Sequence, residues 1–404
     1  MWDVTIDVHA VKEIRTRTTT YLGVGAIAMI HDIAAALKER GVTRALCVTG
    51  GRSYKLTGAW DHVAEACARH GIALAQYDRI TPNPTTDAID EATAIGRAHE
   101  AQAVIAIGGG SPIDAGKSAA ILLANPGRTA FELYSYAFTP RQAVPIVAIN
   151  LTHGTGSEVN RFAVATIPSL NHKPAIAYDC IYPLFSIDDP RLMTKLSPEQ
   201  TRYVSIDAVN HVIEAATAVT ANPLSVLLAR ETIRLVAAYL PLALRNPEDL
   251  RARYALTYAA MIAGVAFDNG LLHFTHALEH PLSAVRPELA HGLGLSMLLP
   301  AVIRQCYPAQ GEVLAQILAP AVPGLHGRPA EAAAAAHGVE AWLASLGLPQ
   351  KLADEGFSDG DIDRLCDLVE QTPSLGLLLS VAPVEGTRER VATIYRESLR
   401  PMPT

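Results

Sequence analysis

Ala103-Val-Ile-Ala-Ile107-Gly108-Gly109-Gly110-Ser111-Pro112-Ile113-Asp114-Ala115-Gly116-Lys117 is the stretch on which the reading of this chain turns. A five-residue apolar run leads straight into three glycines and then into an apolar helical pattern, so the order is strand, glycine turn, helix. Glycines let a backbone come close to a phosphate, and the following helix N-terminus offers free N–H groups and a partial positive charge to an anion. Pro112 suits the first helical turn, where its missing N–H goes unused. A glycine triplet by itself makes only a tight turn, but its place directly after a strand points to a diphosphate. The spacing is neither Gly-x-Gly-x-x-Gly nor, despite Lys117, a Walker A loop.

Outward from this stretch, short apolar runs at Ala45–Thr49, Ile72–Tyr77 and Pro145–Ile149 alternate with helix-length patterns at Ile27–Arg40, Trp60–His70 and Thr86–His99. That alternation is the mark of βαβ units and predicts an α/β domain with a parallel, Rossmann-like sheet. After Asp189-Pro190 the texture changes to long Ala- and Leu-rich helical patterns: Pro198–Ala218, Pro223–Ala243, Glu248–Phe267 and Leu293–Cys306. The expected domains are therefore 1–189, α/β and dinucleotide-binding, and 190–404, all-helical, metal-binding and catalytic. A chain of 404 residues exceeds the roughly 250–300 residues that one core supports, which also favours two domains.

Half the residues are apolar, 18% are charged, and the net charge of −7 contains no long run of one sign. This composition argues against a nucleic-acid partner and against a membrane-surface patch. The five cysteines (Cys47, Cys67, Cys180, Cys306, Cys366) are scattered and never form Cys-x-x-Cys, so neither a disulfide framework nor a thiolate metal site is expected. With no export signal or spanning segment in the sequence, the expected location is the cytoplasm.

Asp207 and His211 stand at i and i+4 and project from one helix face, so a carboxylate oxygen and an imidazole nitrogen can converge. Four of the fourteen histidines, His273, His276, His280 and His291, crowd into nineteen residues further on. Asp207, His211, His276 and His291 together form an oxygen and nitrogen set that suits a divalent ion such as iron or zinc. His276-Ala-Leu-Glu279-His280 also fits His-x-x-Glu-His, the zinc pattern of one metallopeptidase class. A peptidase, however, has no use for a glycine phosphate loop.

The joint occurrence of Gly108-Gly-Gly-Ser-Pro-Ile-Asp114-Ala-Gly-Lys117, Gly154-Thr-Gly-Ser-Glu158-Val, Asp207-x-x-x-His211 and His276-Ala-Leu-Glu-His280-Pro-Leu…His291-Gly resembles the iron-containing (group III) alcohol dehydrogenase family. The resemblance runs from about Gly23 to at least Pro300. It implies a dehydroquinate synthase-like architecture, with NAD(P) and a divalent metal, often iron, held between an α/β and a helical domain. It implies Asp207, His211, His276 and His291 as the metal ligands and His280 as a non-ligand proton relay near the nicotinamide. His276 and His280 are thus the catalytic pair. Gly109, Gly110 and Ser111 match pyrophosphate contacts, Asp114 a residue on the nicotinamide side, and Thr152, Thr155 and Lys173 further cofactor contacts. The implied activity is hydride transfer between nicotinamide C4 and a primary alcohol or aldehyde, in a homodimer or larger assembly. A lyase or synthase of the same superfamily, also using NAD and metal, is the alternative.

The departures from the family pattern carry information of their own. Asn150-Leu151-Thr152 stands where Pro-Thr-Thr is common, Asn160 where Thr is frequent, and His273 where glycine is common, so an extra imidazole facing the substrate is expected. Many members carry an Asp after the strand matching Ala45–Thr49, where it repels a 2′-phosphate. Here Gly50-Gly51-Arg52-Ser53 follows. The missing repulsion, with Arg52 or Ser53 free to bind the phosphate, favours NADP(H) over NAD(H). His153 and Arg161 flank the second glycine motif as candidate contacts for an anionic group, and Phe162 and Phe267 are candidates to shape an apolar pocket.

Overall fold

The computed structural model describes residues 12–402. Strands β1 (Thr19–Leu22), β2 (Arg44–Gly50), β3 (Ala73–Ile80), β4 (Ala103–Gly108), β5 (Ile146–Asn150) and β8 (Phe185–Asp188) form one six-stranded sheet, ordered β1-β8-β5-β4-β2-β3, with every pairing parallel. β6 (Phe162–Val164) and β7 (Ala175–Ala177) make a small antiparallel ribbon. Helices α1 (Ile30–Glu39), α2 (Ser53–Leu56), α3 (Ala59–Arg69), α4 (Thr86–Ala98), α5 (Gly110–Ala124) and α6 (Ala130–Tyr134) accompany the sheet.

The central strands β4 and β5 are buried at every residue, which is why they read as continuous apolar runs: helices cover both faces of a parallel sheet. Cys47, Ile105 and Ile107 pack into one layer with α1 and α3, while Leu46, Val48 and Val104 pack into the other with α4 and α5. The chain goes outward from β2 to β3, then returns to place β4 on the other side of β2. The strand order therefore reverses between β2 and β4, and in doubly wound sheets ligands bind beyond the carboxyl ends of the strands at such a point. Gly50–Ser53 follows β2 and Gly108–Ser111 follows β4. A Cβ on Gly50 would lie 4.0 Å from Pro112 Cγ, so the two turns are neighbours.

The remaining helices are α7 (Pro198–Thr217), α8 (Pro223–Arg245), α9 (Leu250–Gly270), α10 (Phe274–Val285), α11 (His291–Leu318), α12 (Ala332–Ser345), α13 (Ile362–Gln371), α14 (Leu375–Ser380) and α15 (Arg388–Ser398). No single helix among the described residues is long and apolar enough to cross a membrane.

By their internal packing the described residues divide into two units, one made of Thr16–Ser197 with Asn246–Met261, the other of Pro198–Arg245 with the chain from Ile262 on and residues 12–15. The division falls after Ser197 rather than at 189/190, and its physical reason is local. Asp189 accepts hydrogen bonds from Gly25 N at 3.0 Å, Ile27 N at 3.2 Å and Arg191 N at 3.0 Å, which ties the turn after β8 to the sheet unit. The start of α9 belongs with the sheet unit as well, through Arg253 and Thr257: Arg253 donates to His153 Nε2 at 3.0 Å and the Thr257 hydroxyl donates to Met193 Sδ at 2.9 Å.

Candidate functional site

Asp207 and His211 lie one turn apart in the middle of α7, on a stretch buried from Ser205 to Thr217. His276 comes from the first turns of α10 and His291 is the first residue of α11. Around Asp207 Oδ1 the structure gathers three imidazole nitrogens: His211 Nε2 at 3.4 Å, His276 Nε2 at 3.6 Å and His291 Nε2 at 3.8 Å. Ligand atoms held about 2.1 Å from one ion at tetrahedral angles sit ~3.4 Å apart, so this spacing fits a shared divalent ion. Asp207, His276 and His291 each offer an atom within 4.8 Å of the others.

Two of the converging atoms, Asp207 Oδ1 and His276 Nε2, are buried with no hydrogen-bond partner among the described residues. Buried polar atoms are normally satisfied, and an ion at their meeting point satisfies both. The rings are also stacked into place: His211 lies 4.6 Å from His276 and 4.5 Å from Phe267, centroid to centroid. Phe267 thus supports the His211 ring, which is its structural role here.

The far side of each imidazole is fixed by a carboxylate. His276 Nδ1 donates to Glu214 Oε2, and His291 Nδ1 donates to Glu279 Oε2. With Nδ1–H engaged, the Nε2 lone pair points at the cluster, which is the tautomer a metal needs. Glu214 Oε1 also takes the backbone N–H groups of Thr275 and His276, anchoring the start of α10 to α7. Both glutamates were within reach of a sequence reading. Glu214 stands at i+7 from Asp207, on the same helix face, and Glu279 is three residues past His276.

Glu214 and Glu279 are fully buried and Asp207 nearly so. Three such charges need cations or protons. Burial opposes charge on Asp207, yet His211 foremost and then His276 and His291 bring its carboxyl down to about 2. Burial likewise opposes charge on His276, but Glu214 and Asp207 hold it up to about 9. In the absence of an ion the cluster therefore keeps a proton on His276, and an ion bound at Nε2 displaces it. His211 stays neutral, with burial pulling it down to about 4. Replacing Glu214 or Glu279 by Ala should weaken metal retention by about 10- to 100-fold, as loss of such outer partners usually does. Gln, which keeps an acceptor, should recover part of it. Chelator competition measures this, and full-strength retention in both Ala variants would contradict the role.

His280 is buried one turn after His276, its ring 5.9 Å from that of His291. Pro281 lies inside α10, which continues to Val285. His273 departs from the expected substrate-facing role: it is fully buried, its Nδ1 accepts from Phe274 N at 2.8 Å, and its Nε2 lies 2.9 Å from the Thr217 hydroxyl. It caps α10. His153 is buried and kept neutral, down to about 3, by burial and then by Arg253. Arg161 pairs with Asp179 at 3.2 Å. Neither is poised for an anionic substrate. Phe162 lies in the ribbon, beneath Arg161.

In the sheet unit, Gly109 is the N-cap of α5, and Gly110 and Ser111 open its first turn. Thr152 and Thr155 press against this loop: a Cβ on Gly109 would lie 2.8 Å from Thr152 Cγ2, and one on Gly110 2.5 Å from Thr155 Cγ2. Asp114 is spent internally, accepting from the Ser157 hydroxyl and from Val164 N at 2.9 Å. Lys117 is fully buried and donates to Ser157 Oγ, Asn160 Oδ1 and the Phe162 carbonyl, so it braces the loop from beneath, as the absence of a Walker spacing implies. Lys173 is buried within electrostatic range of Asp114. Gly51, Arg52 and Ser53 are exposed at the end of β2.

A glycine loop at the switch point of a parallel sheet and a carboxylate–imidazole cluster on helices define a metal- and nucleotide-dependent oxidoreductase. The family model for iron-containing alcohol dehydrogenases matches residues 18–190, and the model for the C-terminal part of Fe-containing alcohol dehydrogenases matches 201–399. A long-chain primary alcohol dehydrogenase of Thermoanaerobacter ethanolicus is 57% identical over 98% of this chain and 100% of its own length. The NAD-dependent methanol dehydrogenase of Bacillus methanolicus is 33% identical over 85% of this chain and 89% of its own. The crystal structure of the NADH-dependent butanol dehydrogenase A of Thermotoga maritima superposes with a TM-score of 0.88 at 26% identity, covering 96% of this chain and 98% of that one. The chain belongs to the iron-containing alcohol dehydrogenase family, and it is a metal-dependent, nicotinamide-linked enzyme acting on CH–OH groups. Neither the synthase nor the peptidase alternative is favoured. Glu279, the base in the peptidase pattern, is committed to His291.

Proposed function

We propose that this enzyme interconverts primary alcohols and aldehydes with NADP(H), using a divalent ion, Fe2+ in the first place, held by Asp207, His211, His276 and His291. The observation that carries the reading is the convergence of three Nε2 atoms on Asp207 Oδ1 at 3.4 to 3.8 Å. When bound, the ion supplies Lewis acidity toward an alcohol or carbonyl oxygen, and the nicotinamide supplies or takes the hydride. The chain's own work is binding and proton handling. Glu214 and Glu279 hold two ligand imidazoles in the binding tautomer. His280, one turn from His276, carries the proton that the hydroxyl gives up. Gly109, Gly110 and Ser111 hold the pyrophosphate at the α5 N-terminus, flanked by Thr152 and Thr155, with Asp114 and Lys173 bracing that loop. The long-chain primary alcohol named for the 57% identical relative supports alcohols of that class.

The preference for NADP(H) rests on Gly50-Gly51-Arg52-Ser53. Asp78, on the neighbouring strand β3, accepts from the Tyr54 hydroxyl at 3.2 Å, while Arg52 and Ser53 are exposed and able to meet a 2′-phosphate. One charge-assisted contact of about 1.5–3 kcal/mol corresponds to about 10- to 100-fold in affinity. Steady-state rates with an alcohol and aldehyde panel, each cofactor, and metal analysis of the purified protein test the proposal together. NADP(H) should lead, and Arg52→Ala should erase the lead by about 10-fold or more. A strong preference for NAD(H) in the parent enzyme would overturn it. The reading extends to a cytoplasmic homo-oligomer acting on small molecules. The five cysteines, all free, support the reducing compartment.

A further inference from the structure

Asn150, which stands where the family pattern has proline, ends β5. Asp188 ends β8 directly beside it, as its register partner. Both side chains are buried. Asn150 Nδ2 donates to Asp188 Oδ1 at 3.0 Å, and Asn150 Oδ1 accepts from Thr152 N at 3.1 Å and from the Thr152 hydroxyl at 3.4 Å. Thr152 is the residue whose methyl group closes over Gly109, and Leu151 N donates to the Gly108 carbonyl at 2.9 Å. Side-chain contacts therefore run without a gap from Asp188 to the phosphate loop.

We propose that Asp188, acting through Asn150, is a positioning residue for the cofactor: it turns the Asn150 amide so that its oxygen, not its nitrogen, faces Thr152, and so fixes Thr152 against the Gly108–Gly110 loop. The proposal rests on the reading of that loop as the pyrophosphate site. A carboxamide has one donating and one accepting end, and a backbone N–H can only donate. Whichever group lies behind the amide therefore decides whether Thr152 is held or repelled. A proline at position 150 stiffens this turn through its ring. Here two hydrogen bonds do the same work, and they require Asp188 as an acceptor.

The charge state of Asp188 fits an acceptor that is not an anion. Glu158, on the turn Ser157–Val159, is fully buried like Asp188, and neither Glu158 oxygen nor Asp188 Oδ2 has a hydrogen-bond partner among the described residues. Burial first, and then the charge of Glu158, push the Asp188 carboxyl well up. Burial raises Glu158 too, with Lys117 of α5 opposing and Asp114 of the same helix adding to the rise. Two buried carboxyl groups within each other's field do not both ionise, and a neutral Asp188 still accepts through Oδ1.

The test uses the full-length, metal-loaded enzyme and reads cofactor Kd by NADPH fluorescence together with cofactor KM, alcohol KM and kcat. Asn150→Ala and Asp188→Leu should each raise cofactor Kd and KM by about 5- to 10-fold, the loss of roughly one hydrogen bond, with alcohol KM unmoved and kcat within about threefold. Asp188→Asn, which keeps an oxygen acceptor without charge, should recover most of the affinity. The double variant should be no worse than Asn150→Ala alone, because both changes break one chain of contacts. If Asp188→Leu does not fold, Asn150→Ala and Asp188→Asn still decide. Unchanged cofactor affinity in Asn150→Ala, additive losses in the double variant, or a failure of Asp188→Asn to recover binding would each overturn the relay. Gly110→Val separates the two levels. If it binds cofactor normally, the loop assignment itself is wrong, whereas if it loses binding while Asn150→Ala does not, only the relay falls.

Discussion

His276→Ala is expected to purify without its metal and to lose turnover by on the order of 10³-fold or more. The reason lies in how much converges on this one ring. His276 supplies an Nε2 at 3.6 Å from Asp207 Oδ1, stacks on His211, and provides one of the two converging buried atoms that have no hydrogen-bond partner among the described residues. Removing it leaves Asp207 and Glu214 as buried carboxylates with less to face them, a loss of several kcal/mol for each uncompensated charge. A few kcal/mol of lost transition-state stabilisation accounts for a rate loss of about 10³-fold. His280→Ala is the informative contrast. Its ring lies 5.9 Å from that of His291, while three other imidazole nitrogens already meet Asp207 Oδ1, so metal content should hold while kcat falls by about 100-fold, the range of general acid–base catalysis. Metal per chain, measured beside kcat/KM on folded protein, checks both. Metal loss in His280→Ala would make that residue a ligand, and metal retained with turnover in His276→Ala would remove the assignment.

Gly292→Ala is expected to be among the most damaging single-methyl changes in the helical unit, beside Gly270→Ala, whose Cβ would lie 2.1 Å from the Ala215 carbonyl oxygen. A Cβ at Gly292 would lie 2.1 Å from the Tyr203 carbonyl oxygen and 2.5 Å from its carbon. Those are backbone atoms of α7, which no rotamer change can move aside. The helix must shift outward, and overpacking of this kind costs about 1–3 kcal/mol or more. For a unit of this size each kcal/mol lowers Tm by about 2–4 °C, so a fall of roughly 2–12 °C is expected. The neighbouring residue is His291, so the same shift carries its imidazole away from Asp207, and on the proposed ligand set metal affinity should drop with Tm. Gly376→Ala in α14, where an added Cβ meets nothing within 4 Å, serves as the control and should be neutral or slightly stabilising. An unchanged Tm in Gly292→Ala would mean that α11 rides less tightly on α7 than the structure shows.

Much of this architecture could be read before any coordinates. β2, β4 and β5 were visible because buried parallel strands are continuous apolar runs, and α7, α8 and α9 because their patterns are long. Asp207 and His211 were visible because helical spacing alone brings them together. β1 and β8 escaped, being four residues each with mixed composition, and set by pairing with one another rather than by pattern. The membership of residues 246–261 in the sheet unit escaped for a related reason. Arg253 sits in an ordinary helical stretch, and only its bond to His153, a hundred residues earlier, assigns it. The same bond took His153 out of the running as a substrate contact, and the Thr217 contact did so for His273. A histidine's role depends on what meets its two nitrogens, and sequence spacing records that only when the partners share a helix.

The glutamates behind the cluster have a consequence for the life of the protein in the cell. They make the junction of α7, α10 and α11 a region with three interior carboxyl groups, so an ion held there would act as a rivet as well as a reagent, adding its binding energy to folding. A molecule without its ion would then be both idle and less stable. Metal supply would in this way set how many copies of the enzyme persist, alongside how many are active.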